Sequence, residues 1–293
     1  ASEPVYGVSN SEPKQAIVTS VTNHGSWVAC AVSGGASSPT PDCIKIFRSS
    51  SSGWALNEGL TGSAIGFKSP AHLAMTASSA GVYRLAAINT GSVKIFTHFS
   101  ASGWYNSGNN VTDLTAVATH SPATQSSGLA AYYGYLSIHG DLATAGSRIV
   151  VGNQDGFSVL LSGSGWSEED TIVPSDWSWK PNIATNYNTA ETFSIPFIHE
   201  PANYKNNIDL HKDVFAIITD TTREDSLFPM SYSPPSLQVW KRSGSNWSLY
   251  QEMDPIFSDH AENSNTRVLS IAIDKGLLFV GVTERDIYFD GTP

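Results

Sequence analysis

Short runs in which apolar and polar residues alternate recur along this chain, and four of them lead through a turn of small residues to a tryptophan. The runs are 44–47, 93–96, 157–160 and 237–240, and the tryptophans that follow them are Trp54, Trp104, Trp166 and Trp247. Apolar residues at every second position indicate half-buried strands, and Ser/Gly-rich connectors such as 49–53 suit tight turns. Each run therefore predicts a hairpin whose second strand begins at the tryptophan.

Two more strand-like runs precede each hairpin. In segments 136–141, 208–213 and 269–274 an aspartate follows an aliphatic residue by three positions, at Asp141, Asp213 and Asp274. Aspartate favours turns because its side chain hydrogen-bonds nearby backbone. A second apolar run follows each turn, and four short antiparallel strands repeated in this way are typical of a β-propeller blade. We therefore expect an all-β propeller whose repeat tryptophans pack between neighbouring blades.

Five such blades can be assigned within a single domain that spans residues 1–293. Their approximate limits are 15–60, 70–114, 132–173, 207–254 and 267–293, with an insertion at 171–206. The fifth blade lacks a fourth strand, and we expect residues 4–8 to supply it by pairing with 286–289. Such pairing would close the ring and hide both sheet edges. The alternative is that the natural chain continues beyond residue 293.

Composition supports one extracellular all-β domain. The chain has 293 residues, 40% of them hydrophobic, and no long window with a helical period. A net charge of −10 argues against a nucleic-acid backbone or an anionic membrane as the partner, and no apolar stretch is long enough to span a bilayer.

The opening residues 1–4 are typical of a chain that follows a removed signal peptide, which predicts a secreted or cell-surface location. The acidic clusters 168–170 and 224–225 are expected to be solvated surface.

The two cysteines and two sequons leave alternatives open. Cys30 and Cys43 fall on neighbouring strands of the first blade, where simple register places Cys30 opposite about Ile46. A disulfide would need a bulge, and the alternative is two buried thiols. Asn110 and Asn246 each begin an N-glycosylation pattern, which matters only in a eukaryotic secretory host.

The order of segments 136–141, 148–152, 155–159 and 163–166 resembles the FG-GAP repeat, the blade of integrin α-subunit propellers and of many secreted microbial proteins. Segment 237–247 resembles the last hairpin of the same repeat. The resemblance implies an extracellular, adhesive propeller. Two features of this chain differ from the integrin-type propellers that it resembles. Integrin-type propellers have seven blades, whereas five are assigned to this chain, and their blades often carry a calcium-binding loop. The segment that corresponds to the calcium loop offers Asn153 and Asp155, which supply too few oxygen ligands for a 6–8-coordinate ion. We therefore expect a turn at this position, with a weak calcium site as the alternative. No other cofactor is expected.

Long insertions predict where a ligand binds. Segments 171–206 and 219–236, together with 34–42 and 115–131, connect strand ends that open on one side of a propeller. Loops on a rigid scaffold often carry function. The candidate ligand-binding residues there are Trp177, Trp179, Tyr187, Arg223 and Tyr232. Aromatic side chains suit stacking on sugars or anchoring a protein, so a glycan or an extracellular protein is the expected partner. The alternative is that these aromatics only pack the insertion onto the ring.

Catalytic chemistry has weaker support. The chain contains no Gly-x-Ser-x-Gly turn, no phosphate-binding loop and no zinc-protease helix. A glycosidase needs paired carboxylates, and Asp209 is the one acid expected inside an inner strand. We therefore predict a non-catalytic binding or adhesion propeller. The first alternative is a self-assembling structural subunit of an extracellular or cell-surface assembly, and the second is a glycosidase-like enzyme.

Overall fold

The computed structural model describes residues 17–33, 43–61, 72–78, 80–89, 92–99, 103–104, 111–118, 135–140, 146–153, 156–172, 208–219, 236–253 and 267–283. Regular structure in these residues is entirely β, and none of them forms a helix that could cross a membrane. The all-β class predicted from the alternating pattern is therefore confirmed.

The described residues contain eighteen strands, which form four sheets of four strands and one sheet of two. The first sheet contains β1 (Ile17–His24), β2 (Trp27–Ser33), β3 (Cys43–Ser50) and β4 (Gly53–Thr61). The second contains β5 (His72–Ala77), β6 (Tyr83–Asn89), β7 (Ser92–Thr97) and β8 (Val111–Asp113). The third contains β9 (Tyr135–His139), β10 (Arg148–Asn153), β11 (Gly156–Ser162) and β12 (Trp166–Ile172). The fourth contains β13 (Ile208–His211), β14 (Val214–Thr219), β15 (Ser236–Ser243) and β16 (Asn246–Met253), and β17 (Arg267–Asp274) pairs with β18 (Leu277–Thr283).

Strand order identifies the architecture as a β-propeller. Each four-stranded sheet is an antiparallel meander in chain order, and the first strands β1, β5, β9, β13 and β17 contact one another in sequence. Repeated meanders arranged around their first strands are the blades of a propeller. Five sheets lie in the described residues, while the number of blades in the complete ring stays a prediction. The expected pairing of 4–8 with 286–289 lies outside the described residues.

The hydrophobic core is divided among the interfaces between successive sheets. Successive side chains of a strand point to opposite faces of its sheet, and the second, third and fourth sheets carry buried apolar residues on both faces and pack on both neighbours. The cluster between the first two sheets contains Trp27, Ile44 and Ile46 from one and Phe96 and Trp104 from the other. Corresponding clusters join the second to the third sheet, the third to the fourth, and the fourth to β17–β18.

Polar side chains link the inner strands across these interfaces. Met75 N–H donates to Thr22 Oγ1 at 3.0 Å, and Leu210 N–H donates to Ser137 Oγ at 3.0 Å. Ile273 N–H donates to Asp209 Oδ2 at 2.6 Å. In each case a side chain of the preceding blade accepts an N–H on the edge of the later blade's first strand, where a sheet would otherwise leave it unpaired.

Two details of the predicted repeat are wrong. Lys212 and Lys275 both have positive φ, at 55° and 48°, and occupy the same position of the first turn. Asp213 therefore lies inside its turn, whereas Asp274 is the last residue of β17. The prediction that the two aspartates occupy the same position of the repeat is wrong, because their positions differ by two residues. In the second sheet Trp104 does not begin the outer strand. It follows the isolated bridge between Phe99 and Gly103, and β8 begins only at residue 111.

Candidate functional site

The five candidate ligand-binding residues, Trp177, Trp179, Tyr187, Arg223 and Tyr232, lie outside the described residues. The structure does fix the strand ends that frame their segments. In the fourth blade the first residue of β13, Ile208, pairs with Ile217 near the end of β14, and Thr219 pairs with Ser236 where β15 begins. The connections 173–207 and 220–235 therefore join the fourth blade at the same end.

The opposite end of the blades has mostly short turns. Residues 25–26, 51–52, 212–213, 244–245 and 275–276 each connect two strands directly. Two connections at this end are longer, 98–110 between β7 and β8 and 140–147 between β9 and β10. The expectation that every long connection leaves from one side is therefore wrong for the second blade, while connections 173–207 and 220–235 do join the fourth blade at the predicted end.

Three of the four repeat tryptophans share one structural position, but their environments differ. Trp54, Trp166 and Trp247 pair with Ser49, Ser162 and Arg242 at equivalent places in the last hairpin of their blades. Trp104 and Trp247 are buried between blades, and Trp166 is half-buried against the core between the second and third blades. Trp54 is 57% exposed in the described residues, so the prediction that it packs between neighbouring blades is wrong.

A buried charge network joins the third and fourth blades, and sequence reasoning missed it. Arg148 Nε and Nη2 donate to the two carboxylate oxygens of Glu169 at 2.7 and 3.1 Å, and Arg148 Nη1 donates to the Lys212 carbonyl at 2.7 Å. Arg242 lies 2.8 Å from Glu169 and 3.4 Å from Asp213. The Glu169 side chain is only 7% exposed, so the surface interpretation of 168–170 is wrong for this residue. The signal available in the sequence was an arginine at an otherwise apolar strand position.

Acidic side chains also hold the repeat tryptophans. Trp247 N–H donates to Asp170 Oδ2 at 2.6 Å, and Trp104 N–H donates to Glu58 Oε2 at 2.9 Å. Glu58 and Asp170 pair with Ile46 and Val159 at equivalent positions. In both cases an acid on the outer strand of one blade accepts the backbone N–H of the next blade's tryptophan.

An aromatic cluster fills the first interface near the end with the short turns. The Trp27 ring lies 4.8 Å from His98 and 6.0 Å from Tyr83, between centroids, and the Arg48 guanidinium carbon lies 5.1 Å from the Trp27 centroid. Burial lowers the pKa of His98, and the nearby Arg48 charge lowers it further against the opposing effect of Glu58. The cluster is therefore packed with a neutral imidazole near pH 7, and it serves the blade interface.

Asp209, the one acid predicted on an inner strand, is engaged on both carboxylate oxygens. Its Oδ1 accepts from Ser137 Oγ at 3.2 Å and from its neighbour Leu210 N–H at 3.0 Å, and its Oδ2 accepts from Ile273 N–H at 2.6 Å. Burial raises the pKa of Asp209, partly offset by these hydrogen bonds and by His211. The arrangement links three inner strands, which is a structural role.

The candidate disulfide is not formed. Cys30 lies opposite Lys45, and Cys43 lies opposite Val32, so the two cysteines are diagonal neighbours and remain thiols. Diagonal pairs have Cβ atoms about 7 Å apart, too far for a disulfide. Burial raises the pKa of the Cys30 thiol, and the Lys45 ammonium opposes this. The simple register predicted Ile46 opposite Cys30, one residue from the observed partner.

The remaining predicted sites are only partly described. Asn153 pairs with Gly156 at the end of β10, whereas Asp155 lies outside the described residues. No cluster of three or more His, Cys, Asp or Glu side chains suited to a metal occurs in the described part of the chain. Asn246 is exposed at the start of β16, and Asn110 lies outside the described residues.

Comparison with known proteins does not assign the chain to a family. No family model matches the sequence, and no curated protein matches it. Among solved structures the chain is similar to the β-propeller domain of the Trilobed protease from Pyrococcus furiosus, which is described as having an open velcro topology. The TM-score is 0.42 with 8% sequence identity, over 92% of this chain and 78% of that one. The assignment as a propeller therefore depends on the strand order and inner-strand contacts of this chain.

Proposed function

We propose that this propeller is a secreted, non-catalytic binding and adhesion protein of FG-GAP-like type. Its ligand is a glycan or an extracellular protein, bound at the end of the fourth blade where connection 173–207 finishes and connection 220–235 begins and finishes. The observation that carries the proposal is the pairing of Thr219 with Ser236 and of Ile208 with Ile217, which brings both ends of connection 220–235 to the same end of the blade as the point where connection 173–207 enters it.

The fourth blade is a firm base for such a site. Phe215 stacks on Trp240 with an interplanar angle of 6°, and Trp247 lies 5.2 Å from the Phe215 centroid. The charge network around Glu169 fixes the same blade to the third. Loops mounted on rigid strands can vary in sequence without loss of the fold, which is why binding residues concentrate in them.

The chemistry of the connections suits a polar, ring-shaped or protein ligand. They contribute Trp177, Trp179, Tyr187 and Tyr232, together with the cation Arg223. Flat aromatic rings stack on sugar faces and dominate protein interfaces, and arginine pairs with carboxylates. A net charge of −10 makes nucleic acid an unsuitable partner.

The engagement of Asp209 weakens the glycosidase alternative. A general acid or nucleophile needs a carboxyl group that reaches the substrate, and both oxygens of Asp209 accept hydrogen bonds within the inner strands. Self-assembly remains the alternative from a different class, and sedimentation velocity at several micromolar concentrations separates it from ligand binding by a monomer.

A double substitution tests the proposal. Replacement of Trp177 and Trp179 by Ala should abolish binding to glycans or proteins that the unmodified chain captures on an array, and should leave the thermal transition within about two degrees. Tyr250→Ala is the matched control, because Tyr250 is a 65% exposed aromatic residue of the same blade outside both connections. Retained binding by the double variant would refute the proposed site. If the unmodified chain hydrolyses a glycoside and the Asp209→Asn variant does not, the protein is an enzyme and the adhesion proposal is wrong.

A further inference from the structure

A cavity of about 460 Å³ lies at the last hairpin of the first blade. Its lining residues all belong to β3 and β4: Arg48, Ser49, Ser50, Ala55, Leu56 and Asn57. This volume falls in the range of about 300–1,000 Å³ that is typical of small-molecule sites. The lining combines a cation, hydroxyl and amide groups and apolar side chains, so it offers a ligand charge, hydrogen bonds and an apolar wall.

The cation of this cavity is held in place by a buried ring. The Arg48 guanidinium carbon lies 5.1 Å from the centroid of Trp27, and Trp27 is 2% exposed whereas Arg48 is exposed. A guanidinium held over an aromatic face still has N–H donors for a second partner. Arg48 therefore presents these donors to the cavity from a fixed position.

No carboxylate of the described residues forms an ion pair with Arg48. Glu58 lies on the same face of the sheet, opposite Ile46, but its Oε2 accepts the Trp104 N–H at 2.9 Å. The two arginines of the charge network between the third and fourth blades, by contrast, each contact two carboxylates. The charge of Arg48 is therefore available to an anionic ligand.

A β-bulge brings Asn57 to the same cavity. Ile46 pairs with Glu58 and Phe47 pairs with Leu56, so Asn57 is the extra residue of β4 and has no partner on β3. Bulges redirect side chains and are frequent next to active sites. The Asn57 side chain is exposed and makes no hydrogen bond in the described residues, so its donors and its acceptor are available.

The same bulge recurs in the third and fourth blades, where its side chain is already engaged. Glu169 is the bulge residue of the third blade and binds two arginines. Tyr250 is the bulge residue of the fourth blade, and the Lys241 ammonium lies 5.1 Å from its ring centroid. Lys241 occupies the strand position of Arg48, because each pairs with the first residue of the second strand in its blade. The first blade thus has the cation and the bulge, with an amide in place of the ring.

We propose that this cavity binds a saccharide that carries a carboxylate, such as a uronic acid. Arg48 pairs with the carboxylate, and the Ser49 hydroxyl and the Asn57 amide bind ring hydroxyls. Leu56, which is 55% exposed, packs on the apolar face of the sugar ring. An inorganic anion would use the cation alone, and a neutral sugar would leave it unpaired. The site is separate from connections 173–207 and 220–235 and does not depend on the function proposed for them.

Calorimetric titration with sodium glucuronate tests the site, with glucose as the neutral counterpart. Arg48→Gln is compared with Lys241→Gln, which removes the equivalent cation of the fourth blade and changes the net charge equally. We expect glucuronate to bind Arg48→Gln at least about ten-fold more weakly than the unmodified chain, because the charge-assisted pair is lost. Its affinity for Lys241→Gln should stay within about two-fold, since distant surface charges are screened. Glucose should bind the unmodified chain at least about ten-fold more weakly than glucuronate, because it has no carboxylate.

Four results would overturn the proposal. The first is no measurable binding of glucuronate to the unmodified chain, and the second is unchanged binding by Arg48→Gln, which would assign glucuronate to another site. The third is equal weakening in both cation variants, which would indicate a general effect of charge. The fourth is acetate binding as tightly as glucuronate, which would indicate an anion site without sugar specificity.

A second variant serves if circular dichroism shows that Arg48→Gln fails to fold. Asn57→Ala removes one exposed amide from the bulge and should weaken glucuronate binding about three-fold, because hydrogen bonds to ring hydroxyls are lost. Tyr250→Ala changes the bulge residue of the fourth blade and should leave the affinity unchanged. An unchanged affinity in Asn57→Ala contradicts the proposal.

Discussion

At the residue scale, the environment of a side chain depends on the blade that covers it. Trp247 and Trp54 occupy the same hairpin position, yet one is 6% and the other 57% exposed. The Trp247 indole contacts Phe215 and lies beside the Arg148 guanidinium. Its backbone N–H donates to Asp170 in the preceding blade. Trp247 is therefore a structural residue with contacts in two blades.

Trp247→Ala should lower the free energy of unfolding by about 3–5 kcal/mol, since loss of a buried aromatic ring removes apolar burial and leaves a cavity. Urea unfolding followed by circular dichroism measures the change. Tyr250→Ala, on the same strand but 65% exposed, should change it by less than about 0.5 kcal/mol. Equal effects of the two substitutions would mean that the interface does not depend on this ring.

Asp209 makes stability depend on pH in a defined direction. Burial raises its pKa above the ordinary value of 3.8, so the folded chain holds this proton more tightly than the unfolded chain. Its contribution is therefore fully present below pH 3.8 and is lost as the pH rises through the raised folded value.

The stability of the unmodified chain minus that of Asp209→Asn should consequently decrease from about pH 3.5 upward, whatever constant offset the substitution introduces. Chemical denaturation at several pH values measures the difference. A difference that grows with pH would show that the hydrogen bonds from Ser137, Leu210 and Ile273 outweigh burial and that the pKa is depressed.

At the scale of elements, the third and fourth blades are joined by charges as well as by apolar packing. Glu169 on β12 accepts from Arg148 on β10 and pairs with Arg242 on β15, and the turn residue Asp213 contacts both arginines. Two positive and two negative side chains balance one another. Because Arg148 and Glu169 are almost fully buried, removal of one charge leaves its partner uncompensated.

Glu169→Gln should therefore cost about 3–5 kcal/mol, and high salt should change the cost little because the pair is shielded from solvent. Denaturant unfolding at low and high salt is the measurement. Asp274→Asn removes an exposed carboxylate from the end of β17 and should fall within about 0.5 kcal/mol of the unmodified chain. A small cost for Glu169→Gln would indicate that the Glu169 charge contributes little to the contact between these two blades.

At the scale of the whole molecule, hydrogen bonds link the first strands of the first and second, third and fourth, and fourth and fifth sheets, and the last sheet has two strands in the described residues. An unpaired edge in that sheet would be open to association. Residues 4–8 are the segment predicted to pair with 286–289 and to complete this blade.

Deletion of residues 1–9 should then lower the midpoint of thermal unfolding by several degrees, because the loss of a strand costs a few kcal/mol and each kcal/mol is worth about 2–4 °C in a domain of this size. A variant with residues 1–9 replaced by Gly and Ser keeps the chain length and should show the same decrease. An identical melting curve after deletion would contradict pairing by this segment.

Much of the fold was predictable from local pattern. Strands such as β3, β11 and β15 lie where alternation placed them, within a few residues, because period-two alternation depends only on adjacent side chains. The Asp274 register failed because aspartate suits both turn positions and strand ends. The cysteine pairing failed because it depends on a cross-strand register that shifts by single residues. The candidate ligand site was predicted from the length, the aromatic residues and the expected side of the insertions, and its residues lie outside the described part of the chain.

The sequence by itself determined the all-β class, the four-strand repeat and the hairpin position of Trp54, Trp166 and Trp247, since each follows from the order of apolar, polar and small residues along a short stretch of chain. Only the tertiary structure decided which of those tryptophans is covered and that Glu169 joins two arginines. It also decided that Asp209 holds three inner strands together. These outcomes depend on residues far apart in sequence that blade stacking brings within hydrogen-bonding distance, and no local pattern encodes that distance.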